Sequence, residues 1–117
     1  MKTKSIKNPE ITELSNFLDR SLSKKALIII IADCKIRYNG KTNKKFESRE
    51  RMIMIKPDGS LIIDHEYGLE PVSSIIGNKF EIKMENNKLY ILASNKNSLE
   101  SIEVEILKGY LASCHIV

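Results

Sequence analysis

Leu27-Ile28-Ile29-Ile30-Ile31 constrains this chain more than any other stretch: five consecutive aliphatic residues, four of them Ile. β-Branched side chains lose χ1 freedom in a helix and pack well on a pleated, half-buried surface, so the run predicts a strand. Beyond Ala32 the pattern alternates. Cys34, Ile36 and Tyr38 fall on one side, and Asp33, Lys35 and Arg37 on the other. A period of two with one apolar set predicts a strand whose second face is wet and basic. The longest uninterrupted apolar run, Ala26 to Ala32, is far too short to span a bilayer.

The rest of the chain supplies partners for that strand. Asn8-Pro9-Glu10 reads as a helix start, with Asn8 as cap and Pro9 at the first helical position. Ile11, Leu14, Phe17, Leu18 and Leu22 follow as one apolar stripe, ending near Ser23-Lys24-Lys25, where cations suit the negative end of the helix dipole. Asn39-Gly40 and Pro57-Asp58-Gly59 are turn signals, the first of them the strongest in the chain. They bound a polar stretch from Lys41 to Glu50, predicted as a long loop or an edge strand, and strands at Arg51 to Lys56 and Ser60 to His65. Gly68 to Asn78 reads as irregular. Lys79 to Met84 alternates, Asn86-Asn87 turns, and Leu89 to Ala93 is a further strand. Ile102, Val104 and Ile106 alternate again, and Tyr110 to Val117 continues past Gly109, where a bulge is expected.

These elements predict a mainly β protein: an antiparallel β-sandwich or half-open barrel of about seven strands with one N-terminal α-helix. Residues 1–7 are expected to be a flexible N-terminus, and 8–117 a single domain. With 117 residues, 42% of them apolar, the chain can bury a core without disulfide or metal. Cys34 and Cys114 lack the paired spacing of a zinc site and read as two buried thiols. The start, Met1-Lys2-Thr3-Lys4, leads into no apolar signal region. The expectation is a cytoplasmic protein with no membrane contact, cofactor or metal.

One catalytic pattern needs testing. Pro57-Asp58 followed by Glu81-Ile82-Lys83 has the form of a metal-dependent nuclease core, in which carboxylates hold the metal and Lys positions water. The context opposes it. Asp58 sits in a tight turn, and Glu81 and Lys83 alternate with Phe80, Ile82 and Met84 as solvent-face charges do. Cys114 and His115 are sequence neighbours and point to opposite faces of a strand. No catalytic residue is assigned.

Charge is more informative. From Lys35 to Arg51 seven basic residues face only Glu47 and Glu50, so the segment carries 7 − 2 = +5. A basic segment on a mildly acidic remainder suggests a polyanion partner.

The run "CKIRYNGK" (Cys34 to Lys41), then "ERMIMIKPDGSLIIDHE" (Glu50 to Glu66), "EPV" (Glu70 to Val72) and "SIEVEILKGY" (Ser101 to Tyr110) resembles the N-terminal domain of the EndoMS/NucS mismatch-specific endonucleases. The opening "NPE" fits too, and the resemblance covers roughly Asn8 to Val117. It implies a half-open barrel that dimerises and binds DNA, single-stranded or mismatched, while a separate RecB-like domain cuts. On that reading Lys41, Arg37, Lys44, Lys45 and Arg51 contact phosphates. Three positions depart from the family pattern. Lys41 stands where Arg is common and loses the bidentate fork. Leu69 replaces an Arg, and Ser73-Ser74 replace Asn-Trp, so a stacking platform is lost. Stacking and an Arg–base contact are each worth roughly 1–3 kcal/mol. The resemblance therefore implies a non-catalytic DNA-binding and homodimerising module with degenerate base-reading positions. The alternative is a protein-interaction module that pairs with itself or with a full-length family member. The apolar strand Tyr110 to Val117 reads first as an ordinary core strand; were it an exposed apolar edge, it would be the interface of such a module.

Overall fold

The aliphatic run forms the centre of β2 (Leu27–Asn39), which pairs antiparallel with β3 (Asn43–Ile55) on one side and β8 (Glu100–Ile116) on the other. The computed structural model describes residues 2–64, 73–76, 79–95 and 97–116. Within them β4 (Ser60–Ile63) extends the sheet from β3, and β5 (Ser73–Ile76) extends it from β4. On the other side β7 (Lys88–Asn95) pairs with β8, and β6 (Lys79–Glu85) with β7. The order is β5-β4-β3-β2-β8-β7-β6, and β1 (Lys2–Lys7) lies on β8 off this path. The end strands β5 and β6 do not pair with each other, so the curled sheet is a half-open barrel rather than a closed one.

The opening is filled by α1 (Ile11–Ser23), which touches β2, β6, β7 and β8. Its stripe of Leu14, Phe17 and Leu18 joins Ile28, Ile30, Ile53, Leu61, Ile91 and Ile106 in one buried cluster. Each such side chain contributes roughly 1.5–3 kcal/mol by leaving water. Period-two alternation puts these residues on the core face of every strand and leaves the intervening residues on an outer face. α1 approaches β8 closely at Gly109, where an added Cβ would lie 2.9 Å from Leu14 Cδ2. Around that point β8 carries two bulges. Ile31 pairs with Leu111 but Ala32 with Gly109, and Asp33 pairs with Lys108 but Cys34 with Ile106, leaving Tyr110 and Leu107 extra. The extra residues bend the strand, as the sequence suggests at Gly109.

Several expectations are corrected. Within the terminus expected to be flexible, Lys2–Lys7 is a strand, in register from Lys2↔Ile116 to Lys7↔Leu111. Consequently Tyr110 to Ile116 is not an exposed edge, because β8 has β2 on one side and β1 on the other there. Asn8 does not cap the helix. Glu10 takes the cap position with no side-chain bond, while Asn8 turns the chain at φ 46 and donates its N–H to the Tyr110 carbonyl at 2.8 Å. Of the two readings for Lys41 to Glu50, the edge strand holds: β3 begins at Asn43, and β4 pairs with it only from Ile53. β4 ends at Ile63, and His65 lies outside the described residues. Within the stretch expected to be irregular, Ser73–Ile76 is a strand.

Candidate nucleic-acid interface

Past its bulges β2 keeps β8 on one side, from Cys34↔Ile106 to Asn39↔Ser101, and has the first half of β3 on the other, so β3 is here the edge strand of the sheet among the described residues; this β2–β3 edge is termed the ribbon. Residues 43–50 of β3 are exposed, apart from half-buried Phe46. The ribbon is held by the ladder from Ile36↔Phe46 to Asn39↔Asn43. β4 pairs with β3 only at Ile53, Met54 and Ile55, so the ribbon's outer edge has no strand on it among the described residues.

The ribbon brings some of the expected cations together and separates others. Arg37 and Lys45 are direct partners in register, on the outer face. Lys44 is the partner of half-buried Tyr38 and so points to the opposite face. Lys41 is exposed at the tip, between the strands. Arg51 is not on the surface: it is 7% exposed, on the core face, and its Nη1 donates to the Cys34 carbonyl at 2.6 Å. It therefore leaves the phosphate-contacting set. Ser73 and Ser74 lie on β5, paired with Ile63 and Ile62, and Leu69 and the Glu70-Pro71-Val72 triplet lie outside the described residues.

Like charges facing each other across a ladder are unfavourable in isolation. Arg37 is partly compensated by Glu103 on β8, 4.0 Å away. Both side chains are about half exposed to solvent, so the pair is worth at most about 1 kcal/mol. Beside the ribbon an outer-face groove of about 470 Å³ is lined by Lys35, Lys45, Lys83, Tyr90, Glu103 and Glu105, among others. Its walls differ in sign. β2 and β3 contribute Lys35, Arg37 and Lys45 against Glu47, whereas β8 contributes Glu103 and Glu105, which stand opposite Arg37 and Lys35 in register. The Tyr90 hydroxyl donates to Glu105 Oε1 at 3.1 Å, and Lys88 Nζ lies 3.4 Å from the same oxygen. Desolvation and that bond push the Tyr90 phenol up from its usual range. The acidic band is visible in the sequence only as alternation in β8. Which cations it meets depends on register across strands distant in sequence.

The suspected nuclease residues do not converge. Asp58 stays in its turn, where Oδ1 accepts the Ser60 N–H at 2.9 Å, and bonding to Ser60 holds its carboxyl below the ordinary range. Glu81 and Lys83 are exposed on β6. Among the described residues no three His, Cys, Asp or Glu side chains group to hold a metal ion. Cys34 and Cys114 are free and buried, and burial pushes the Cys34 thiol up. No helix among the described residues is long and apolar enough to cross a membrane.

A curled antiparallel half-barrel filled by one helix, with a cationic β2–β3 edge, defines a small β domain with one charged margin. The chain belongs to the family of endonuclease NucS N-terminal PH-like domains, whose model matches residues 24–117. It is 35% identical over 113 residues to endonuclease NucS of Pyrococcus furiosus, covering 94% of this chain and 41% of that protein. Against endonuclease NucS of Methanocaldococcus jannaschii it is 31% identical over 106 residues, covering 90% and 40%. The fold superimposes on EndoMS in complex with double-stranded DNA with a TM-score of 0.93 at 27% identity, covering all of this chain and 49% of that one. For apo EndoMS the TM-score is 0.91, covering 99% and 55%. The chain thus spans about two fifths of the length of these curated relatives and corresponds to their N-terminal part.

Proposed function

We propose that this chain is a non-catalytic DNA-binding and dimerisation module that holds the phosphate backbone with its β2–β3 ribbon. The observation that carries the reading is the side-by-side placement of Arg37 and Lys45 on an exposed face. Two cations held in register have a clear use if an anion bridges them. Lys44 on the opposite face and Lys41 at the tip give the ribbon cations in three directions. With β8 on the other side of β2, this edge suits a phosphate backbone laid along it rather than insertion into a groove. A family of endonucleases and a solved neighbour bound to double-stranded DNA support DNA as the ligand.

Affinity on this reading comes mainly from phosphates. The positions that would read bases are degenerate, with Lys41 for Arg, Leu69 for Arg, and Ser73-Ser74 for Asn-Trp. The preferred ligand is then single-stranded, branched or mismatched DNA held by charge, with weak base discrimination. No cutting step is assigned to these residues. The site of action is the cytoplasm. An anisotropy titration against single-stranded, duplex and mismatched oligonucleotides at about 50 mM salt tests this, because phosphate contacts are strongest there. Absence of binding to all three would end the reading.

A specific surface favours the dimerisation half. On the outer face, away from the ribbon, Met52, Ile31 and Leu111 form one cross-strand row, and Ile62, Met54 and Ile29 form the next. All are half-buried except Met52, which is 38% exposed. A contiguous apolar sheet face of this kind marks an interaction surface. Its self-complementary occupant is a second copy or a full-length family member, packed sheet against sheet. Light scattering checks it: a monomer at tens of micromolar, with no partner captured, would contradict it.

A further inference from the structure

We propose a second binding site, separate from the ribbon: the cleft between α1 and β1 takes an extended acidic peptide, which adds to the sheet beside β1. Two independent features point there. The first is chemical. A cleft of about 330 Å³ is floored by Ile6, Phe17, Cys114 and Ile116 and edged by Lys4, Arg20 and Lys24. No carboxylate lines it, and among the described residues none of these three cations is in an ion pair. Arg20 only donates its Nε–H to the Asn16 carbonyl one turn back. The nearest helix carboxylate in sequence, Asp19, projects from another face of α1, about 200° round from Phe17.

The second feature is topological. β1 pairs with β8 along one edge, and among the described residues no strand pairs with its other edge. β8 shares that same side between two strands: β7 takes residues 100–106 and β1 takes 111–116. β7 is in turn covered by β6, whereas β1 has no such neighbour. A peptide strand on β1 would occupy the position in line with β6. Lys4 and Ile6 lie on the core-facing side of β1, as partners of Cys114 and Ala112. Alternate side chains of an added strand would point the same way, towards α1. Apolar side chains would meet Ile6 and Phe17, and acidic ones would meet Lys4, Arg20 and Lys24. Main-chain bonds along the free edge then supply affinity, and the cleft supplies selectivity.

The free strand edge separates this ligand from nucleic acid, whose backbone has no N–H and C=O ladder to pair with it. The lysines at positions 2, 4 and 7 discourage a neutral or basic strand from pairing there and leave an acidic one as the complementary partner.

The test is fluorescence anisotropy of the whole chain with a labelled eight-residue peptide alternating Leu and Asp, at about 50 mM salt. Saturable binding is expected, weakened at least about fivefold by the double variant Arg20→Glu/Lys24→Glu. A peptide N-methylated at alternate amides should also bind at least about fivefold more weakly, a comparison that needs no change to the protein. Ribbon variants at Arg37 and Lys45 should leave peptide binding intact. The proposal is overturned by absence of saturable binding, by equal binding of a Leu–Lys peptide, by insensitivity to both the variant and N-methylation, or by loss of binding in the ribbon variants. Full displacement of the peptide by an equimolar oligonucleotide would likewise overturn it, because the cleft would then be a polyanion surface.

Discussion

Arg51 and Cys34 are joined across β2 and β3 by a 2.6 Å hydrogen bond from the guanidinium Nη1 to the main-chain carbonyl. The bond lies where the ladder slips: Cys34 pairs with Arg49, but Ile36 pairs with Phe46. Arg51 thus braces the root of the ribbon from inside, its buried guanidinium donating to a carbonyl beside the irregularity. Replacing Arg51 with Met keeps most of the stem and removes the donor. Stability should fall by about 1.5–3 kcal/mol in urea unfolding, while the folded variant keeps its affinity for DNA.

Arg37 and Lys45 should behave in the opposite way. Arg37→Gln and Lys45→Gln each remove one exposed charge from a like-charged pair, so unfolding free energy should change by less than about 0.5 kcal/mol. DNA affinity should fall, and the double variant should reduce the magnitude of the salt slope by about 2 on duplex DNA.

The Asp58 turn gives a pH signature. Bonding to Ser60 holds the Asp58 carboxyl below its ordinary range in the folded chain. A depressed folded value means stabilisation that is present above the unfolded value and is lost as pH falls through the folded one. Asp58→Ala should therefore lower Tm near neutral pH. The gap to the unmutated chain should narrow as pH drops below the usual carboxylate range, as followed by thermal melts at several acidic pH values.

Gly109 should not accept a side chain. The position is buried, and the added methyl would lie 2.9 Å from Cδ2 of fully buried Leu14, so the Leu14 side chain or the helix must shift. Gly109→Ala should cost about 1–3 kcal/mol and lift the start of α1 from β8, read by urea unfolding and by faster exchange of the Leu14 amide.

The sheet was legible in the sequence where the signal is local. Asn39-Gly40, Pro57-Asp58-Gly59 and Asn86-Asn87 all turn the chain as read, the last with both residues at positive φ. β1 was hidden because its residues are exposed apart from half-buried Ile6, so no alternation shows before β8 is there to pair with it. The first half of β3 was legible only as one of two alternatives, loop or edge strand, because apart from half-buried Phe46 it is exposed and has no apolar period. Of the candidate site, Arg37, Lys41, Lys44 and Lys45 are on the ribbon as charge density suggests. Arg51 was misread because burial there depends on register, and one step of register moves a side chain to the other face. The opposition of Glu103 to Arg37 depends on pairing between residues far apart in the chain.

The central claim is that the ribbon cations bind DNA backbone. The most direct measurement is the affinity of this chain for a short duplex between about 50 and 200 mM salt, for the unmutated protein and for Arg37→Gln/Lys45→Gln. The account predicts saturable binding that weakens steeply with salt and a shallower dependence in the double variant. Equal affinity and equal salt slope for the two proteins would contradict it.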